Sequence, residues 1–153
     1  MGDKIQAQTR SEFLSGLFKE CGLLEEDSYV LSFQGTKQRL ISRSGIEKIQ
    51  RHHGITVKYE VISCEKDFAA VKGLASWKNK ETGVPCSVES FGSAYFSPSD
   101  PKSSTSKSPH VLAMSEKRAL SRCILKATGS YEMGIFGSDE LERSDSDQQA
   151  EGA

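Results

Sequence analysis

Arg118, Arg122 and Lys126 follow one another at four-residue steps between His110 and Gly129, and Lys117 stands beside the first of them. That spacing stacks cations along one ridge of a helix. A row of this kind breaks no bonds; it offers donors that neutralise phosphates. Equal charges four residues apart cost a few tenths of a kcal/mol per pair, so the ridge is either well solvated or offset by an anionic partner. The charge map favours the partner. Residues 36–126 hold sixteen Lys or Arg against eight Asp or Glu, whereas residues 1–35 hold three against six and residues 138–153 one against six. A net charge of −1 therefore covers a basic middle. This asymmetry is the electrostatic footprint of a polyanion binder, with the acidic tail as a competitor for the same surface.

A second group of cations, Lys37, Arg39, Arg43, Lys48 and Arg51, surrounds a shorter helical segment, Gly45 to His53. Ser42 or Ser44 offers that helix a cap, and Ser44-Gly45-Ile46-Glu47 matches a capping box. Ile46 and Ile49 face inward, which leaves Lys48 and Arg51 toward solvent near Arg43. His52 and His53 raise the question of a metal or of acid/base chemistry. Adjacent helical residues point in different directions and the sequence puts no carboxylate or cysteine partner beside them, so they read as end-of-helix caps that favour the dipole. Cys21, Cys64, Cys86 and Cys123 are scattered singly without a CxxC pair and read as reduced, buried thiols.

Catalytic patterns are missing. There is no GxxxxGK[ST] phosphate loop, no GxSxG elbow and no paired carboxylates of the two-metal type. A non-enzymatic binding protein without metal or cofactor is expected. The N-terminal MGDKIQAQTR lacks the apolar stretch of a secretory signal, and no run approaches the roughly 18 apolar residues of a membrane span. A cytoplasmic protein with no membrane partner is the expectation.

The elements that position the cations follow from periodicity. With 153 residues, 36% of them apolar, the chain suits one domain. Residues 1–10 read as a disordered N-terminus, 11–137 as a single α+β domain with a flexible loop at 97–109, and 138–153 as a disordered acidic tail. Phe13, Leu14, Leu17 and Phe18 predict a helix from Ser11 to Cys21 that ends at Gly22. Ser28 to Gln34 and Lys37 to Ile41 predict short strands. Ile55 to Cys64, Phe68 to Trp77 and Val84 to Phe96 alternate as an antiparallel meander, with Gly73 and Gly92 suggesting bulges or bends. Trp77 reads as a core lid. In the late helix Leu112, Glu116, Ala119, Leu120, Cys123, Ile124 and Ala127 form the stripe expected to face the core, and Gly129 supplies a left-handed stop. Tyr131, Met133, Ile135 and Phe136 form an apolar patch that packs back or docks on a neighbour. The fold expected is a three- to four-stranded meander packed against a long late helix, with a shorter helix before it.

This order of elements, with Glu116, Lys117, Arg118, Ala119, Leu120, Ser121, Arg122 and Gly129 in the late helix and LISRSGIEKIQRHHG from Leu40 to Gly54, resembles the single-strand annealing proteins of phage recombination systems. That superfamily comprises RecT, Redβ, Erf and Sak types and is related to the eukaryotic Rad-class annealing mediators. The likeness runs from Tyr29 to Phe136. It implies a β-meander on a long helix, protomers assembled into rings or filaments, and single-stranded DNA or RNA held in a basic groove during recombination and repair. Carried over by position, the nucleic-acid-binding residues are Lys37, Arg39, Arg43, Lys48, Arg51, Lys117, Arg118, Arg122 and Lys126. A host or phage single-strand-binding protein or an exonuclease is the implied protein partner. The chain is short, so a further recruiting domain is expected to be missing or reduced to the acidic tail. The alternative is an accessory factor of a phage or mobile element that turns its basic face to an acidic protein.

Overall fold

The computed structural model describes residues 9–140 apart from Gln34. The expectations for residues 1–8, Gln34 and 141–153 fall outside them. The order is α1 (Arg10–Cys21), a 3-10 turn (Glu25–Asp27), β1 (Ser28–Phe33), β2 (Thr36–Ile41), α2 (Arg43–His53), β3 (Thr56–Cys64), β4 (Phe68–Lys78), β5 (Pro85–Tyr95), α3 (Val111–Ala127), β6 (Phe136–Gly137) and a second 3-10 turn (Ser138–Glu140). The fold is α+β with a long late helix, as the periodicity implied. Its strands form two sheets: the antiparallel meander β3-β4-β5, and β1-β2-β6 with β6 parallel to β2. Among the described residues no helix is long and apolar enough to cross a membrane.

Small residues explain how α3 sits on the meander. Along β4 the residues Ala69, Val71, Gly73 and Ala75 are buried, and Ser90, Gly92 and Ala94 continue that face on β5. A Cβ on Gly92 would stand 2.2 Å from the Ser115 carbonyl oxygen, and one on Gly73 would stand 2.9 Å from Cys123 Sγ. These glycines are therefore sites of close helix approach, a correction to the bulges expected from sequence. The register runs unbroken through both; the irregularity lies at Ile62, between Val61 and Ser63.

The core-facing side of α3 also differs from the expected stripe. Leu112 and Glu116 are exposed, while Val111, Ser115, Arg118, Ser121 and Leu125 are buried beside Ala119, Leu120, Cys123 and Ile124. Burying the serines is tolerable because they find partners: Ser115 Oγ donates within 2.9 Å of the Ala69 oxygen and 2.7 Å of the Val111 oxygen. The main core joins Ile41, Ile46, Ile49, Leu120, Ile124 and Ile135, with Trp77, Tyr131 and Met133 packed partly against it. The apolar patch after α3 thus packs back onto its own domain.

α1 starts with a capping box in which Glu12 N–H donates to Thr9 Oγ1 and Thr9 N–H donates to Glu12 Oε2, both at 3.2 Å. The α2 cap is Ser42, which accepts from Gly45 N–H. Ser44, the other candidate, donates to Asp27 Oδ1 at 2.5 Å instead. Asp27 is a buried knot between the first 3-10 turn and α2, receiving Lys48 Nζ at 2.6 Å and Leu24 N–H at 2.8 Å. Burial pulls its carboxyl upward, but the Leu24, Lys48 and Ser44 donors outweigh that and hold it below the usual carboxylate range.

Candidate nucleic-acid interface

The cationic ridge of α3 lies along β5. On its side away from β4, β5 pairs with no strand among the described residues, and carbonyls along that edge require donors. Side chains supply them. Arg118 Nη1 donates to the Ser93 oxygen at 2.7 Å, Arg122 Nη1 to the Phe91 oxygen at 2.8 Å, and Lys126 Nζ reaches the Glu89 oxygen at 3.5 Å. Helix numbers rise by four as strand numbers fall by two. Four helical residues advance about 6.0 Å and two strand residues about 6.8 Å, so the periods nearly coincide. The ladder continues at Tyr95, whose oxygen accepts from the N–H groups of Thr105 at 2.9 Å and Ser106 at 3.0 Å.

Arg118 does not belong to a solvated row. It is only 5% exposed. Besides Ser93, its Nε donates to the Asp139 oxygen at 2.8 Å and its Nη2 to the Thr105 oxygen. One guanidinium thereby ties β5, the 97–109 loop and the segment after β6 to α3. Arg118, carried over by position as a nucleic-acid contact, is thus a buried residue whose fork geometry serves three diverging carbonyls. The loop, expected to be flexible, is further stitched to β5 by Tyr95 N–H to Thr105 Oγ1 at 2.9 Å and Ser97 N–H to Ser104 Oγ at 2.8 Å.

Around the edge from this ladder lies an exposed aromatic. Phe91 is 53% exposed on the sheet face opposite α3. Its register partner on β4 is Lys72, paired with Glu89 at 3.3 Å. Phe91 thus stands beside Lys72 and Glu89 on one face of the sheet, while Arg122 and Lys126 reach the β5 edge from the α3 side.

The second cation group is placed elsewhere. Arg43 pairs with Glu47 at 3.2 Å on α2 and lies within electrostatic reach of Tyr59 on β3. Burial, with Glu116 adding, pushes the Tyr59 phenol above its ordinary value while Arg43 opposes the rise. Lys48 is committed to Asp27, a correction to its expected solvent position. Arg51, Lys37 and Lys117 are exposed. Arg39 Nη1 donates to Ser28 Oγ at 3.0 Å, and the residue lines an open groove beneath α1 with Lys19 and Phe18. Within one chain Arg43 lies toward β3, whereas Arg122 and Lys126 lie along β5.

Sequence reasoning overlooked Phe91 and Lys72. A signal existed in β5, where the small residues Ser90, Gly92 and Ala94 mark the helix-facing row, so Phe91 must face away. The β3 margin is different in character: Val61 and Ile62 are each 53% exposed and Tyr59 is 40% exposed. Comparison of the chain with protein-family models, with curated proteins and with solved structures found no match.

Proposed function

We propose that the chain binds single-stranded DNA and promotes annealing of complementary strands in recombination and repair, as a homo-oligomer, in the manner of the phage annealing proteins it resembles. The observation that carries this reading is β5, which bears exposed Phe91 beside Lys72 on one face and receives Arg122 and Lys126 from α3 along its edge. A base stacked on an aromatic ring gains about 1–3 kcal/mol without selecting sequence, and flanking cations hold the backbone. Annealing needs no chemical step. It needs neutralised phosphates and bases left accessible for pairing.

The oligomer follows from where the remaining cations lie. Arg43 is on the β3 side and Arg122 on the β5 side, so one strand meets both only when the β5 margin of one protomer adjoins the β3 margin of the next. A head-to-tail contact of this kind closes into a ring or runs on as a filament. Exposed Val61 and Ile62 suit the protein side of such a contact. The same residues favour the second reading, an accessory factor docking on another protein.

The test is oligonucleotide binding across a salt series by Arg122→Glu/Lys126→Glu and by Phe91→Ala. The charge reversal is expected to lower affinity at least about tenfold and to flatten the log K against log salt slope by about 1.4, near 0.7 per lost contact. Phe91→Ala is expected to weaken binding and leave the slope unchanged. Wild-type affinity and slope in the double variant, with a monomer that stays monomeric on added oligonucleotide, would end the annealing reading and leave the docking one.

A further inference from the structure

The C-terminal turns of α1 and α2 meet. Cys21 is the last residue of α1, and His52 and His53 are the last two of α2. One ligand-capable atom from each lies within 4.8 Å of the other two, and all three residues are half-buried. Cys21 Sγ stands 3.9 Å from His53 Nε2, and His52 Nε2 stands 3.1 Å from Glu20 Oε1. The imidazoles meet edge to face, with centroids 5.0 Å apart at 85°. No partner for the histidine pair is visible in the sequence because Cys21 lies 32 positions before His53 and only the packing of two helices brings it there.

Four features suit a metal. In a tetrahedral zinc site with Zn–S near 2.3 Å and Zn–N near 2.0 Å, neighbouring donors stand roughly 3.5 Å apart. The Cys21–His53 pair is within about half an ångström of that, and the full triad needs a contraction of up to about 1.3 Å. Thiolate with two imidazoles is a borderline-soft set that selects Zn²⁺ over Mg²⁺ or Ca²⁺. Glu20, outside the triad, supplies a carboxylate that orients His52. Two helix C-termini, each the negative end of a dipole, point their last turns at the cluster. Lys80 Nζ already exploits that field by donating to the His52 carbonyl at 2.9 Å, and its place on an exposed hairpin loop lets it swing aside.

We propose that Cys21, His52 and His53 bind one Zn²⁺ that clasps the end of α1 to the end of α2, with Glu20 orienting His52. On binding, the Cys21 thiol gives its proton to solvent and a sulfur–zinc bond forms; the metal keeps its oxidation state. The ordinary reading of the histidines as helix-end caps requires no thiol from a second helix. The proposal does not rest on strand binding, since none of these ligands is among the residues assigned to that function.

The test uses the full chain after chelator treatment. Titration with Co²⁺ is expected to give one equivalent of tetrahedral visible bands together with a near-ultraviolet thiolate-to-cobalt band, both displaced by Zn²⁺. Cys21→Ser is expected to lose the thiolate band, while Cys64→Ser and Cys86→Ser keep it. His52→Ala and His53→Ala are each expected to weaken zinc at least about tenfold in competition with a chromophoric chelator. These two variants test the site even if Cys21→Ser fails to fold. Absence of the thiolate band in the wild-type chain, its survival in Cys21→Ser, or unchanged zinc affinity in both histidine variants would overturn the proposal.

Discussion

The two outer edges of the meander are finished in opposite ways. Along β5 a row of cations from α3 caps the carbonyls of Glu89, Phe91 and Ser93, and the loop caps Tyr95. Along β3 there is a bulge at Ile62 and a pair of exposed aliphatic side chains. An edge strand invites pairing by another chain unless something occupies it or twists it away. The β5 edge is occupied, and its occupants are the charges that a sequence reading leaves to solvent or to an anionic ligand. A cation on a helix beside a sheet edge serves the fold first. Arg118 is consumed by that duty, whereas Arg122 and Lys126 touch the strand from the solvent side.

The largest effect is expected from removing the close approach on which the β5 ladder depends. Gly92→Val places a Cβ 2.2 Å from the Ser115 carbonyl oxygen and 2.5 Å from Ala119 N, backbone atoms that cannot rotate away. α3 must lift, and stability is expected to fall by about 4 kcal/mol in urea unfolding. A loss below about 1 kcal/mol would mean that α3 does not sit on β5 as described. Next in size is Arg118→Ala, which strands the carbonyls of Ser93, Thr105 and Asp139 and is expected to cost about 3 kcal/mol. Arg118→Lys should recover little, because an ammonium cannot serve three diverging acceptors in a fixed fork. Oligonucleotide affinity of the folded Arg118→Ala protein is expected to match wild type. Lost affinity at wild-type stability would reverse the assignment and return Arg118 to the ligand.

That reversal marks where the sequence stopped being legible. Helical period and Gly22, Gly54 and Gly129 located the three α-helices of the described residues within a few positions, since these signals are local. The meander was likewise visible in alternation. β6 was not: two residues pairing in parallel with β2 carry no periodicity of their own. Four-residue arithmetic put Arg118 on a ridge, but which way a ridge faces is decided by the neighbouring strand. Gly92 looked like a strand irregularity because nothing local tells an approach by a helix from a bend. Lys48 looked solvated because its partner Asp27 lies 21 positions earlier, at the end of a turn. In each case the missing information was the identity of a distant partner, and the polar residues suffered most because their partners are specific atoms.

The smallest effect on stability, and the sharpest on the comparison, belongs to β3. Ile62→Lys changes a side chain that is 53% exposed, so unfolding free energy should move by no more than about 0.5 kcal/mol. A lysine on an outer strand is also a standard obstacle to edge pairing. If the β3 margin is where the next protomer sits, sedimentation velocity should find the variant monomeric under conditions in which the wild-type chain assembles. Its oligonucleotide affinity should fall as well, because Arg43 of one copy no longer joins Arg122 of the next. Assembly that survives Ile62→Lys at wild-type strength would leave β3 without a role in self-association. Both chemistry and contact would then have to be sought along the β5 edge, where the carbonyls are already capped and only side chains remain to meet a partner.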